Sequence, residues 1–258
     1  MKKHIFLLLL LVYSFGSPAG AQDIAFQPGE QIGYTVFYSL IGLYVNAGSA
    51  TITTAQAKLA NKDAYHIVGE GKTNSSYNWI ITVKDRFESY VDAQTMEPLK
   101  FVRHIEEGNY RKHEEIHFDP RENTATSSKG LVKVPDKVQD LVSSLYYARN
   151  IDYNQYRPGE KIGFKLFLDD EIYDMYVRYA GKETIKTRYG TFRAIKLKPL
   201  LIKGKVFEGG EKMTIWITDD GNHIPVRVES PLTVGSIKMD LMHYKNLKYP
   251  LTSLKNVR

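Results

Sequence analysis

The sequence of 258 residues contains no cysteine. That removes disulfides, thiolate metal ligands and thiol nucleophiles together. It also removes the acylated cysteine that a lipoprotein leader needs, so no lipid anchor is expected, and stability must rest on an apolar core. Long apolar runs are missing as well. The run Ile5 to Val12 is about half of the roughly 20 residues that a helix needs to cross a bilayer. It follows Lys2 and Lys3 and precedes Ala19-Gly20-Ala21. A basic start, a short apolar middle and small closing residues are the pattern of a secretory signal peptide, cut here before Gln22. Residues 1–21 are read as that signal and 22–258 as one β-rich working unit, periplasmic or secreted, with no transmembrane segment.

An excess of either charge is absent from the first half and present in the second. Residues 22–150 carry 14 Lys+Arg against 16 Asp+Glu, and residues 151–258 carry 19 against 13. Much of the excess comes from Lys196, Lys198, Lys203, Lys205 and Lys212. Alternation places Lys196 and Lys198 on one strand face, where an anionic headgroup or a uronic acid would be drawn. A solvated face is the simpler reading. Nucleic acid is not an expected partner for an exported chain.

What the chain does contain is an internal repeat. Phe26-Gln27-Pro28-Gly29-Glu30-Gln31-Ile32-Gly33-Tyr34 aligns with Tyr156-Arg157-Pro158-Gly159-Glu160-Lys161-Ile162-Gly163-Phe164, and Asp92 to Pro98 aligns with Asp219 to Pro225. The two offsets nearly agree, which predicts pseudo-repeats over about 26–134 and 156–247. Each opens on a Pro-Gly turn that feeds a strand. Alternating runs such as Tyr34, Val36, Tyr38 and Ile237, Met239, Leu241, separated by turn signals, predict antiparallel strands almost throughout. The fold class expected is mainly β: an antiparallel roll or incomplete barrel of two pseudo-repeats.

One helix is predicted near 136–149, within a connector 135–150, because Val138, Leu141, Val142 and Leu145 fall at helical spacing after Pro135 and Asp136. Its other face would present Asp140, Ser144 and Tyr147 to a groove, or simply to solvent. Arg149 at its end would complement the helix dipole.

These residues resemble an exported bacterial family catalogued as domain of unknown function 3108. The resemblance rests on the Pro-Gly-Glu strand, on Asp92 to Pro98, on Val138-Gln139-Asp140-Leu141-Val142-Ser143-Ser144-Leu145-Tyr146-Tyr147-Ala148-Arg149 and on Gly190-Thr191-Phe192-Arg193-Ala194-Ile195-Lys196. It implies a periplasmic or secreted β-rich roll with one prominent helix, and no established activity or catalytic residue.

Three motifs suggest chemistry and lack its context. His113-Glu114-Glu115-Ile116-His117 matches the zinc-protease pattern, which needs a helix to bring both histidines to one ion. The flanks predict a strand, in which residues four apart sit about 13 Å from each other. Gly69-Glu70-Gly71-Lys72-Thr73 resembles the end of a phosphate loop, but His66 stands where the first glycine belongs, so a turn is expected. The pairs Asp169-Asp170 and Asp219-Asp220 are read as turn formers rather than glycosidase carboxylates.

No catalytic residue, metal or cofactor is therefore expected. The functional expectation is a monomeric envelope protein that binds an amphiphilic or saccharide ligand without catalysis. Asp140, Ser144, Tyr147, Arg149, Lys196 and Lys198 are its candidate contacts. An enzyme acting on envelope glycans or lipids, and a structural or assembly partner of other exported proteins, remain as alternatives.

Overall fold

Both Pro-Gly-Glu segments fold into the same turn. Gly29 and Gly159 take left-handed φ angles of 86° and 101°, which a residue without Cβ adopts freely. The Gly29 N–H donates to the Thr54 carbonyl at 2.7 Å and the Thr54 N–H to that of Glu30 at 3.0 Å. In the second segment Gly159 donates to Tyr179 at 2.7 Å and Tyr179 to Glu160 at 3.0 Å. The other echo is also shared in conformation, since Met96 and His223 take φ of 62° and 46°, two residues before Pro98 and Pro225.

The computed structural model describes residues 24–40, 43–77, 82–202 and 209–257. The expected signal peptide and Lys203 and Lys205 lie outside the described residues. The first turn launches β1 (Gln31–Ser39), followed by β2 (Tyr44–Leu59), β3 (Lys62–Thr73), β4 (Lys84–Asp92), β5 (Pro98–Glu107), β6 (Tyr110–Asp119), β7 (Thr124–Ser127) and β8 (Gly130–Lys133). A helix, α1 (Leu141–Arg149), leads to β9 (Lys161–Leu168), β10 (Glu171–Lys186), β11 (Gly190–Pro199), β12 (Thr214–Thr218), β13 (Pro225–Pro231), β14 (Ser236–Lys245) and β15 (Leu254–Val257). Each half is an antiparallel meander. The halves join where β1 pairs with β14, so the strands run in the order β8 to β1 and then β14 to β9, with β15 added beside β11.

The sheet is antiparallel and does not close, because the end strands β8 and β9 do not pair with each other. The connector fills the seam instead. The Gln139 N–H donates to the Lys165 carbonyl and the Phe167 N–H to that of Gln139, both at 2.8 Å. Beyond it, the β9–β10 turn reaches across. Asp169 pairs with Arg103 and Lys112, and Asp170 with Lys129 at 2.8 Å. Asp169 and Asp170 both hold left-handed φ, of 55° and 64°, as a two-residue hairpin turn requires.

The helix is shorter than its apolar spacing predicts, and its buried side is turned. Residues 136–139 are not helical: Lys137 takes φ of 57°, and Gln139 is held in the strand-like bridge to β9. The start is set by Asp140, whose side chain accepts the Val142 and Ser143 amides at 2.7 and 2.8 Å, while Ser143 Oγ accepts the Asp140 N–H at 2.8 Å. This reciprocal cap satisfies donors that a helix start leaves open. The buried helix residues are Val142, Ser143, Tyr146 and Arg149. Of the stripe expected to be core, Val138 and Val142 are buried, whereas Leu141 is only half-buried and Leu145 is 44% exposed on the flank.

Among the described residues, three apolar clusters hold the fold. The first packs α1 on β3 to β6, with Phe26 against Tyr146 at 4.6 Å and 88° between the rings. The second gathers Ile32, Tyr34, Phe192, Trp216 and Leu241 around the junction of the halves. The third sets Ile151 and Tyr153 on β9 to β12.

Candidate functional site

Along the partly exposed flank of α1 lies a groove of about 250 Å³, lined by Ile52, Gly69, Phe87, Leu141, Val142, Leu145 and Tyr146. Its floor is one row across three strands, since Ile52 pairs with Gly69 and Gly69 with Phe87. Glycine makes the row dip. A Cβ placed on Gly69 would meet no atom within 4 Å. The walls are apolar, and the hydroxyl of Tyr146 is already engaged with Thr54 Oγ1 at 2.7 Å. An apolar guest could therefore enter without stripping a polar group of its partner.

Both ends of the helix that walls this groove are anchored by buried charge. At its N-terminus the fully buried Asp140 also accepts a hydrogen bond from Ser89 Oγ at 2.6 Å. Burial pushes the Asp140 carboxyl up to about 6, against the opposing pull of Ser89 and the helix amides. At its C-terminus the Arg149 guanidinium grips Glu30 with two hydrogen bonds of 2.6 and 2.9 Å. It also donates to the Asn222 carbonyl at 3.0 Å and to that of Ala25 at 3.2 Å. Arg149 thus ties the N-terminal segment, the helix and the β12–β13 turn together.

The residues singled out from sequence are not gathered into one place. Asp140 and Arg149 cap opposite ends of α1. Ser144 Oγ donates back to the Leu141 carbonyl at 2.9 Å, and the Tyr147 ring lies 5.8 Å from that of Phe164. Lys196 sits on β11, 3.3 Å from Glu183 and 5.5 Å from the Trp216 ring centroid. Lys198 is half-buried two positions further on, paired with Arg178. None of the six lines the groove. The lining residues are not legible in sequence because helical spacing assigns Leu141 and Leu145 to the core, and because Gly69 to Thr73 reads as a turn whereas it lies within β3. Glycine at 69 and 71 amid strand alternation is the available signal.

The histidine motif falls as its flanks predict, in a strand. His113 and His117 both lie in β6, where His113 meets His104 across the ladder at 3.2 Å and His117 meets Glu115. Among the described residues no three metal-ligating side chains converge. A larger polar hollow of about 690 Å³ lies over β2 to β5, bordered by Glu70, Lys84, Asp85, Arg86 and His104. Its charges neutralise one another, with Arg86 at 2.6 Å from Glu70 and 2.8 Å from Glu88.

A solved structure at low sequence identity is similar to this chain in fold. A barrel-like protein of domain of unknown function DUF1849 from Brucella abortus superposes with a TM-score of 0.56 at 9% identity, covering 86% of this chain and 99% of that one. A Bacteroides fragilis protein described as a candidate exported protein with a YmcC-like fold gives 0.37 at 12% identity, over 85% and 96%. A hypothetical protein of Chlamydia trachomatis gives 0.38 at 7% identity, over 87% and 91%. No curated protein matches the sequence significantly. The family model described as protein of unknown function DUF3108 matches residues 33–242, and the chain belongs to that family.

Proposed function

We propose that this chain is an exported envelope protein that holds the apolar tail of a single-chain amphiphile in the groove beside α1, without catalysing a reaction. The observation that carries this reading is the dip at Gly69: an unfilled apolar slot between a sheet and a well-capped helix. Its volume is near the lower end of small-molecule sites, which suits one tail rather than a bulky ring system. The apolar lining favours an amphiphile over a saccharide, whose hydroxyls would need polar partners. In this reading Asp140 and Arg149 act as positioning residues for the helix. Lys196 and Lys198 on β11 do not line this groove, and the reading assigns them no contact with its guest.

The test is a titration of the mature chain with a fluorescent fatty acid, beside native mass spectrometry of protein purified from its own envelope. Gly69→Leu should fill the slot and weaken binding by roughly tenfold or more while the melting temperature holds. A wild-type chain that binds no fatty acid, or a Gly69→Leu variant that binds it equally well, would sink the proposal.

A further inference from the structure

Among the described residues, five of the eleven exposed large apolar side chains gather at one end of the sheet, while others such as Leu131 and Val257 lie singly elsewhere. Leu43 is 81% exposed and Leu40 and Val234 each 61%, with Tyr44 and Val45 also exposed. All five lie on two neighbouring hairpins, β1–β2 and β13–β14, because β1 pairs with β14 and brings both turns to one end of the sheet. The turns are fastened to each other. Tyr38 donates to the Val234 carbonyl at 3.2 Å, and the Tyr44 hydroxyl lies 3.4 Å from Ser236 Oγ. A Cβ on Gly235 would fall 2.3 Å from the Ser39 carbonyl, so these backbones touch.

Their charge is of one sign. Residues 39–46 and 231–238 include one charged side chain, Lys238, and no acid. Its ammonium lies 4.2 Å from the Tyr44 ring centroid, and the Arg188 guanidinium lies 4.3 Å from that of Phe37 on the same strand pair. The facing carboxylate of Glu229 is paired in register with Lys238 and lies 3.8 Å from Arg227. Exposed aliphatic tips, a tyrosine and cations held just behind them match the layers of a bilayer surface, where aromatic rings and ammonium groups sit at headgroup depth.

We infer that these paired hairpin tips dock the protein on an anionic lipid bilayer. The inference goes beyond the groove, whose floor begins at Ile52, eight residues or roughly 26 Å along β2 from Tyr44. A patch that is apolar at its tip and cationic behind fits a surface that is apolar inside and anionic outside. Two narrow tips are also a poor match for a stable protein interface, which needs on the order of 800 Å² from each partner.

The test is co-sedimentation of the mature chain with phosphatidylcholine vesicles, with and without phosphatidylglycerol. The wild type should sediment with the anionic vesicles and far less with the neutral ones. The double variant Leu43→Asp/Val234→Asp should lose roughly tenfold or more of that binding, and Lys238→Gln should lose the preference for phosphatidylglycerol. Failure of the wild type to sediment with either vesicle, or equal sedimentation of the double variant, overturns the proposal. Both tip sites are exposed, so the variants should melt like the wild type. The tip variant should still bind free fatty acid, and Gly69→Leu should still bind vesicles, which separates this inference from the groove reading.

Discussion

Removing the carboxylate of Glu30 should destabilise the protein more than most single changes. Its side chain is 1% exposed and that of Arg149 is 4%, and the two share a bidentate contact. In Glu30→Gln the guanidinium stays buried among Phe26, Tyr146 and two carbonyls without its counter-charge. Breaking such a pair from one side costs about 3–5 kcal/mol, because the remaining ion is still desolvated. At about 2–4 °C per kcal/mol for a chain of this size, the melting temperature should fall by about 6–20 °C. Arg149→Met should cost a similar amount. The double variant should cost no more than the worse single one, since neither charge is then stranded. Urea unfolding of all four proteins closes the cycle. Additive single costs, or a Glu30→Gln cost below about 1 kcal/mol, would refute the claim that this pair knots the N-terminal segment, the helix and the β12–β13 turn.

Three other outcomes follow from the packing. Burial raises the Asp140 carboxyl from 3.8 to about 6, so the fold favours its protonated form. The stability this group contributes is present below about pH 4 and lost as the pH rises through about 6; the advantage of wild type over Asp140→Asn in urea melts should shrink across that window. Gly48→Ala would place a Cβ 2.3 Å from the Lys72 backbone carbonyl and should cost about 1–3 kcal/mol. Gly71→Ala, where a Cβ meets nothing within 4 Å, should be neutral or raise the melting temperature through the smaller entropy of its unfolded chain.

Much of the architecture is legible in local chemistry. Alternation with a period of two, punctuated by turn residues, determined that the chain is antiparallel β, because that period matches only the pleat. Pro-Gly-Glu determined two like turns, since proline fixes φ and glycine takes the left-handed angle. Asp169-Asp170 was legible as a turn for the same reason. The sequence also excluded a helical zinc motif at His113, where the flanking alternation belongs to a strand.

The site was decided by tertiary structure. The spacing of Val138, Leu141, Val142 and Leu145 predicts one core stripe, whereas the helix that forms starts after Val138 and buries Val142 and Tyr146 while Leu145 stays exposed. Gln139 held by β9 and Ser89 meeting Asp140 set that start, through contacts between residues about 25 to 50 apart in sequence. Arg149 reads as a helix-end cation until Glu30, more than a hundred residues away, is brought beside it. Gly69 reads as a turn until Ile52 and Phe87 flank it and the helix leaves the slot above it unfilled. Period and turn chemistry act between neighbours in sequence and survive in the letters. A groove exists only between segments that the chain must first bring together.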